Sequence, residues 1–419
     1  MSGPMRDRMG GDARGGMMLA LVAVDGPEGR ALADDLAREG VGVLAVVPAS
    51  ALADLAADAL LGADAVAVHE QLERAQVVLL DATRDTLDAR VVSLCDRLGT
   101  RIVPRCASPA DERLAAAFGL PAPVSPADDA SVVADALRAH PAPQAAADAS
   151  GRRVIAVWGP AGAPGRSTVA IAVAAELARG AGRVGLVDAD SHAPSLALTL
   201  GLADEAPGFA AACRQADLGT LTTAELTRIS APVSVPGGAI DVLTGINRPS
   251  RWPELGDKRV AAALAVARGW AEHTVVDVAA SLERDEEIVS DVVDGPRRNA
   301  ATLAVLGEAD LVVAVVAADP LGVSRFLRGY SELRATIGST PVAVVANRLR
   351  PGALGIDARG QVRRTLERFA GIRDVWFLPA DQRAADAALL TARPIADAAP
   401  RSPFTLAVRR FVGEAVVRP

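Results

Sequence analysis

Lysine occurs once in the 419 residues of this chain, at Lys258, although Lys and Arg together number 44. The positive charge is almost all guanidinium, a broad planar fork that does not do the work of a slim ammonium. Cysteine is also scarce: Cys95, Cys106 and Cys213 form no CxxC pair and have no His at metal spacing. That excludes a disulfide framework and a zinc site, and fits a reducing cytoplasm. The three thiols read as small buried hydrophobes. Aromatics make up only 3% of the chain while hydrophobic residues reach 50%, so the apolar bulk is Ala, Val and Leu. Such a chain packs alanine-rich helices on valine-rich strands. No apolar run approaches the roughly 20 residues that span a bilayer. "MMLALVAV" and "LVVAVVAA" are strand-sized. A broad basic field is missing too: the net charge is -7, which gives sequence-independent DNA binding little support.

What is present is a repeated strand–helix grammar. The length predicts two domains. Residues 1–16, with scattered charges and glycines, read as a disordered tail; they lack the apolar stretch of a signal peptide, and a start at Met17 or Met18 fits. Residues 17–138 alternate strands ("MMLALVAV", "VGVLAVVP", "AQVVLLDA", "RIVP") with helices, beginning with "PEGRALADDLAREG" between Pro27 and Gly40. Residues 139–151, "AHPAPQAAADASG", have no periodic apolar face and read as a linker. Residues 152–419 repeat the grammar at greater length, with strands "VIAVWG", "RVGLVDAD", "AIDVLTG", "HTVVDVA", "DLVVAVVAA", "PVAVVANR" and "DVWFLP". Strands alternating with helices predict an α/β chain: a doubly wound first domain and a second domain with a mostly parallel sheet.

The chemistry concentrates at "VIAVWGPAGAPGRSTVAIAVAAELARGAGRVGLVDAD", Val154 to Asp190. A strand runs into a Gly-rich turn, then a helix, then a second strand ending in aspartates. Backbone N–H groups of such a turn and the helix N-terminus face an anion. Gly162 and Gly165 allow close approach of the backbone, Ser167 is placed to offer a hydroxyl to Mg²⁺, and Arg166 stands where a cation would reach phosphate.

This stretch resembles the deviant P-loop of the MinD/ParA superfamily of ATPases, Lys-Gly-Gly-x-Gly-Lys-Ser/Thr. Ala161 replaces the first lysine, Gly162 keeps the first glycine, Ala163 replaces the second, Gly165 keeps its glycine, Arg166 replaces the second lysine and Ser167 keeps the hydroxyl. Pro160 stands before the loop where a glycine is usual, and Pro164 lacks an N–H. Four further segments fall in the family's order. The resemblance implies that Asp190 in "VDAD" activates the attacking water, with Asp188 near the metal. It implies that Asp277 in "VVDVAASLE" holds Mg²⁺ through water, that Asn347 in "VVANR" reads adenine, and that the residues after Pro379 in "LPADQRAADAALLTARPI" line the base pocket. Thr168 joins the nucleotide-binding set, and ATP with Mg²⁺ is the implied cofactor. Two altered lysine positions imply slow hydrolysis.

The first domain resembles a response-regulator receiver, with Asp81 at the phosphoacceptor position and Asp25 at that of an acidic metal ligand. The expected lysine near "PAPVSP" is missing, so an interaction module is predicted rather than a phosphorylated one. A receiver-like domain ahead of a MinD-like ATPase is the arrangement of CpaE/TadZ-like proteins. That likeness implies a cytoplasmic homodimer recruited to pole or septum, with protein partners in pilus assembly or cell division. Two alternatives stay open: a competent partitioning-type ATPase, and a nucleotide-free scaffold. His192 reads as a solvated loop residue. The C-terminal "PFTLAVRRFVGEAVV" gathers Phe404, Ala407, Val408, Phe411, Val412 and Ala415 on one helical face. Docking on the sheet is favoured over peripheral membrane contact.

Overall fold

The computed structural model describes residues 18–57, 59–118, 120–139, 152–162, 165–203, 208–283, 297–350 and 357–417. The chain divides into two compact units, Met1–Ala139 and His140–Pro419. The expected tail lies outside the described residues, as does the expected linker beyond Ala139.

The first unit has four parallel strands, β1 (Leu19–Ala23), β2 (Gly42–Val47), β3 (Val77–Asp81) and β4 (Arg101–Arg105), in the order β2-β1-β3-β4. This is the beginning of the 2-1-3-4-5 order of flavodoxin-like sheets. Where a fifth strand would lie there is a single parallel bridge, Arg105 to Val124. Successive residues of β1 enter opposite cores, Leu21 and Ala23 on one side, Ala20 and Val22 on the other. Period-two alternation with both faces apolar is what a sheet covered by helices on both sides requires. The helix Gly62–Arg74, between β2 and β3, was not among the sequence expectations.

The second unit holds an eight-stranded sheet: β5 (Arg153–Trp158), β6 (Val184–Ala189), β7 (Ala231–Val235), β8 (Gly238–Leu243), β9 (His273–Val278), β10 (Leu311–Ala317), β11 (Val342–Leu349) and β12 (Val375–Pro379). Its order is β12-β11-β10-β5-β9-β6-β8-β7, parallel throughout except for the β7–β8 hairpin. The edge strand β7 is the one strand here that the sequence reading omitted. Its short "APVSV" has only Val235 buried, and the Pro236-Gly237 turn that closes the hairpin was the available signal. In β5, Val154, Ala156 and Trp158 enter one core, and Ile155 and Val157 the other. Each such buried Val or Ile contributes roughly 1.5–3 kcal/mol. The chain reaches β6 and β9 on one side of β5 and then β10 on the other, so the order reverses at β5. A ligand crevice opens at such a reversal, beyond the strands' carboxyl ends.

The C-terminal helix Pro403–Phe411 and the following turn Val412–Val416 bury Phe404, Val408, Phe411, Val412, Ala415 and Val416 in the second unit's own core. Trp376 of β12 packs on Phe411 at 5.6 Å between ring centroids. Arg153 Nη1 donates to the Val416 carbonyl at 2.6 Å, and Arg409 pairs with Glu176 at 2.9 Å. The apolar face is thus consumed by internal packing. No helix among the described residues is long and apolar enough to cross a membrane.

Candidate functional site

β5 ends at Trp158, and the chain turns past Gly162 to enter the helix Arg166–Leu177 at Gly165. Gly162 (φ +73°) and Gly165 (φ +91°) are left-handed, a conformation that other L-residues adopt only at a cost of about 1–2 kcal/mol. Among the described residues, no side chain caps this helix N-terminus. Its first N–H groups are therefore free to meet an anion, with the helix dipole in support. Ala163 and Pro164, and with them the argument from Pro164's missing N–H, lie outside the described residues.

Three aspartates converge on this loop, all almost fully buried: Asp188 and Asp277 at 1% exposure and Asp190 at 3%. They differ in what holds them. Asp188 Oδ2 accepts from the backbone N–H of Ser195 (2.9 Å) and Leu196 (3.0 Å), and Oδ1 from that of Asp190 (3.2 Å). Burial raises its pKa to about 6, with those amides opposing and Asp190 adding to the rise. Both of its oxygens are engaged in folding the loop after β6, so its geometry is that of a loop organiser beside the expected metal position. Asp190 Oδ1 accepts from the N–H of His192 (2.8 Å) and Ala193 (2.9 Å), which leaves Oδ2 toward the helix N-terminus.

Asp277 is different. Among the described residues, neither carboxylate oxygen has a partner at hydrogen-bond geometry. Burial, then the Asp188 charge, drives its pKa well upward; Ser167 stands close enough to oppose the rise without completing a hydrogen bond. A buried carboxylate left this way is costly unless a cation or a proton compensates it. Ser167 and Asp277 thus fit Mg²⁺. Among the described residues no group of three or more His, Cys, Asp or Glu forms a metal cage. The fit is therefore to an ion that brings phosphate and water oxygens with it, as Mg²⁺ ordinarily does.

Arg166 does not project along the loop. Its Nη2 lies 3.4 Å from Asp190 Oδ2, and its Nη1 donates to the Gly159 carbonyl at 3.3 Å. The cation at the second lysine position is folded back onto the carboxylate expected to handle water.

The loop after β6 is tied to the segment after β9. Ser191 Oγ donates to the Arg298 carbonyl (2.7 Å) and His192 Nε2 lies 2.9 Å from Asn299 Oδ1. The Asn299 amide donates to Ser281 Oγ (3.1 Å) and the Glu283 carbonyl (3.0 Å). His192 is exposed, as expected, but it is partnered. Asn299 is the polar residue that the sequence reading missed. It sits 107 positions from His192, and no local pattern marks it.

Beside the helix N-terminus lies a cavity of about 300 Å³. Gly165–Thr168 form one wall; Ala385, Ala388, Leu389 and Ile395, from the segment after Pro379, form an apolar one. The size and mixed lining suit a small flat ligand held next to an anion site. Pro379 ends β12, half-buried and outside that lining. Asn347 is also outside it: it is 4% exposed and packs beneath Gly165, where an added Cβ would lie 2.5 Å from its Nδ2.

In the first unit, Asp25 is exposed and its Oδ1 accepts from the Ala49 N–H at 3.0 Å. Asp81 ends β3 and is gripped by Arg105 of β4, Nη1 to Oδ1 at 2.7 Å. Arg105 also pairs with Glu28 and is only 6% exposed. Burial raises the Asp81 pKa and Arg105 opposes the rise. The sequence reading found no lysine for Asp81; the fold gives it an arginine.

No family model and no curated protein sequence matches this chain. Solved structures do match. The structure of a ParA family ATPase from Chlorobium tepidum TLS aligns at 18% identity and a TM-score of 0.50, covering 62% of this chain and 97% of that one. The septum site-determining protein MinD from Pyrococcus horikoshii OT3, solved with Mg-ADP, aligns at 15% identity and a TM-score of 0.48, covering 63% and 95%. At 62% of the 419 residues, the match to the ParA family ATPase is longer than the first unit and so extends into the second. Over the aligned share the chain therefore has the fold of a ParA family ATPase, with the mostly parallel α/β sheet of a P-loop NTPase.

Proposed function

We propose that this chain is a nucleotide-binding spatial regulator of the MinD/ParA type, which binds ATP with Mg²⁺ in its second unit and hydrolyses it slowly. The observation that carries this reading is the contrast between two side chains at one loop. Asp277 is buried with both oxygens unpartnered among the described residues, beside Ser167, and Arg166 is turned back onto Asp190. The first leaves a place for a phosphate-bound cation; the second removes a charge from the transferring phosphoryl group. Bound Mg²⁺ would supply Lewis-acid stabilisation of phosphate charge.

The remaining roles follow from the chain's own groups. Gly162, Gly165 and the helix N-terminus present the backbone to phosphate, and Ser167 and Thr168 offer hydroxyls. Ser167 and Asp277 hold the metal, Asp277 partly through water, while Asp188 shapes the loop that carries Asp190. Asp190 orients water, though Arg166 competes for the oxygen it would use. The cavity takes the base, and Asn347 supports the loop from below. Domain organisation is proposed as a receiver-like module, residues 17–138, a linker, 139–151, and the ATPase-like domain, 152–419. From the likeness to CpaE/TadZ proteins come a homodimer, protein partners at pole, pilus or septum, and a cytoplasmic site of action. Such a regulator needs a ligand-biased conformation rather than fast turnover.

Calorimetric titration with ATP and with ADP, each with and without Mg²⁺, tests this. Saturable ATP binding, tightened by Mg²⁺, is expected. A chain that binds neither nucleotide is a scaffold, and a chain that binds and turns over rapidly is a partitioning-type ATPase.

A further inference from the structure

The loop lacks a phosphate-directed cation at Ala161, and Arg166 faces Asp190, yet a third guanidinium stands on the loop. Arg325 lies on the helix Pro320–Ile337, which follows β10, the strand beside β5. Its side chain rests on the backbone of Gly162. A Cβ added there would collide with Arg325 Nη1 and would come within 3.1 Å of Cζ. The placement is built by packing one turn further along. Phe326 is fully buried and lies 6.4 Å from Trp158 at the end of β5, centroid to centroid. Gly329 brings the helix against the loop: an added Cβ there would lie 3.2 Å from Trp158 Cη2 and 3.6 Å from Pro160 Cβ. Residues 325 and 329 share a helix face, so the contact that seats Gly329 on Pro160 aims Arg325 at Gly162. The Arg325 side chain is exposed and, among the described residues, has no carboxylate partner. That sets it apart from Arg105 and Arg166, which are both paired.

We propose that Arg325 supplies, within the same chain, the cation that contacts the nucleotide's polyphosphate over Gly162, in place of the lysine missing at Ala161. The proposal rests on the nucleotide-binding reading of the second unit. Arginine serves here because its fork takes two phosphate oxygens at once and stays charged at any working pH.

The test is equilibrium binding of MgATP, and of inorganic tripolyphosphate as a probe of the anion alone, to the full chain and to Arg325→Ala, Arg325→Gln and Arg325→Lys. Losing a charge-assisted contact should weaken both ligands about tenfold to a hundredfold in the Ala and Gln variants. The Lys variant should stay nearer the native value. Thermal melts matching the native chain would show that an exposed residue was replaced without unfolding; if Ala fails to fold, Gln carries the comparison. Native-like ATP affinity in Arg325→Ala or Arg325→Gln overturns the proposal and leaves the nucleotide reading intact. Tighter binding in those variants also overturns it, since the guanidinium would then be occupying the anion's place. A native chain that binds neither ligand overturns both.

Discussion

Each unit carries an aspartate at the carboxyl end of an interior parallel strand, Asp81 on β3 and Asp277 on β9, and the two are treated in opposite ways. Asp81 is half-buried and held by Arg105, which also pairs with Glu28. Asp277 is fully buried and, among the described residues, completes no hydrogen bond or ion pair; Ser167 and the more distant Arg166 charge only moderate its raised pKa. Burial raises both pKa values, but only Asp81 has a guanidinium opposing the rise from hydrogen-bond distance. A carboxylate with its counter-charge built in is complete and has little to gain from a cation. One that is buried without a partner stores a desolvation cost that an arriving cation relieves. The same architecture thus yields a closed site in the first unit and an open one in the second.

The largest expected effect sharpens the open site. If turnover is slow because the cations of the loop are misplaced, restoring them should raise it. Ala161→Lys combined with Arg166→Lys both adds a point charge and frees Asp190 Oδ2 from the 3.4 Å contact. A well-placed transition-state charge is worth about 2.7–4 kcal/mol, so steady-state phosphate release should rise on the order of 10²–10³-fold. Adding Asp190→Ala should cancel the gain. A double variant no faster than the native chain would place the defect elsewhere.

A smaller effect follows from the charge state of Asp277. A carboxyl whose folded pKa lies above its ordinary value of 3.8 contributes stability below that value. The contribution is lost as pH rises through the folded pKa, and above it the ionised group costs stability. Asp188, raised to about 6, acts in the same sense. In the absence of Mg²⁺ and nucleotide, the native chain should therefore lose thermal stability as pH rises from about 4 to about 6 through the Asp188 range, and further through the raised folded pKa of Asp277. Asp277→Asn should flatten that slope. It should raise Tm at pH 8 by at least about 2 °C, the shift that corresponds to roughly 1 kcal/mol in a domain of this size. It should also abolish the Mg²⁺ dependence of ATP binding. A lower Tm at pH 8 in Asp277→Asn would mean that the carboxylate is compensated by protein after all.

The fold of both units was legible because its signals are local. A valine-rich run, a Gly-rich turn and an alanine-rich helix follow one another within Val154–Leu177, and continuous apolar runs mark β1 and β5. The aspartates were legible for the same reason, each at the end of its strand. What was not legible is which charges face them. Arg105 reaches Asp81 from the next strand, Asn299 meets His192 across 107 residues, and Arg325 covers Gly162 from a different helix. Such pairings are fixed by sheet order and helix packing, and no spacing in the sequence encodes them. The edge strand β7 escaped because only Val235 of its five residues is buried, so the apolar run that reveals buried strands is absent.

The smallest expected effect is a null at Asp81. A phosphoryl group arriving there must displace Arg105 Nη1 from 2.7 Å and find a metal ion. Asp25, the expected second acid, is exposed and accepts from the Ala49 N–H. Arg105 is itself held by Glu28 and buried, so swinging it away would leave charge uncompensated in the first unit's interior. Incubation with acetyl phosphate and Mg²⁺, followed by intact mass, should show no phosphorylated species. The informative arm is Arg105→Ala. It removes the guanidinium and leaves Asp81 half-buried without its partner. If the built-in counter-charge is what closes the site, this variant should melt earlier than the native chain, and slow labelling that disappears in Arg105→Ala with Asp81→Ala would become detectable. Stoichiometric labelling of Asp81 in the native chain would show that the pairing with Arg105 does not close the first unit, and the contrast between the two sites would fall with it.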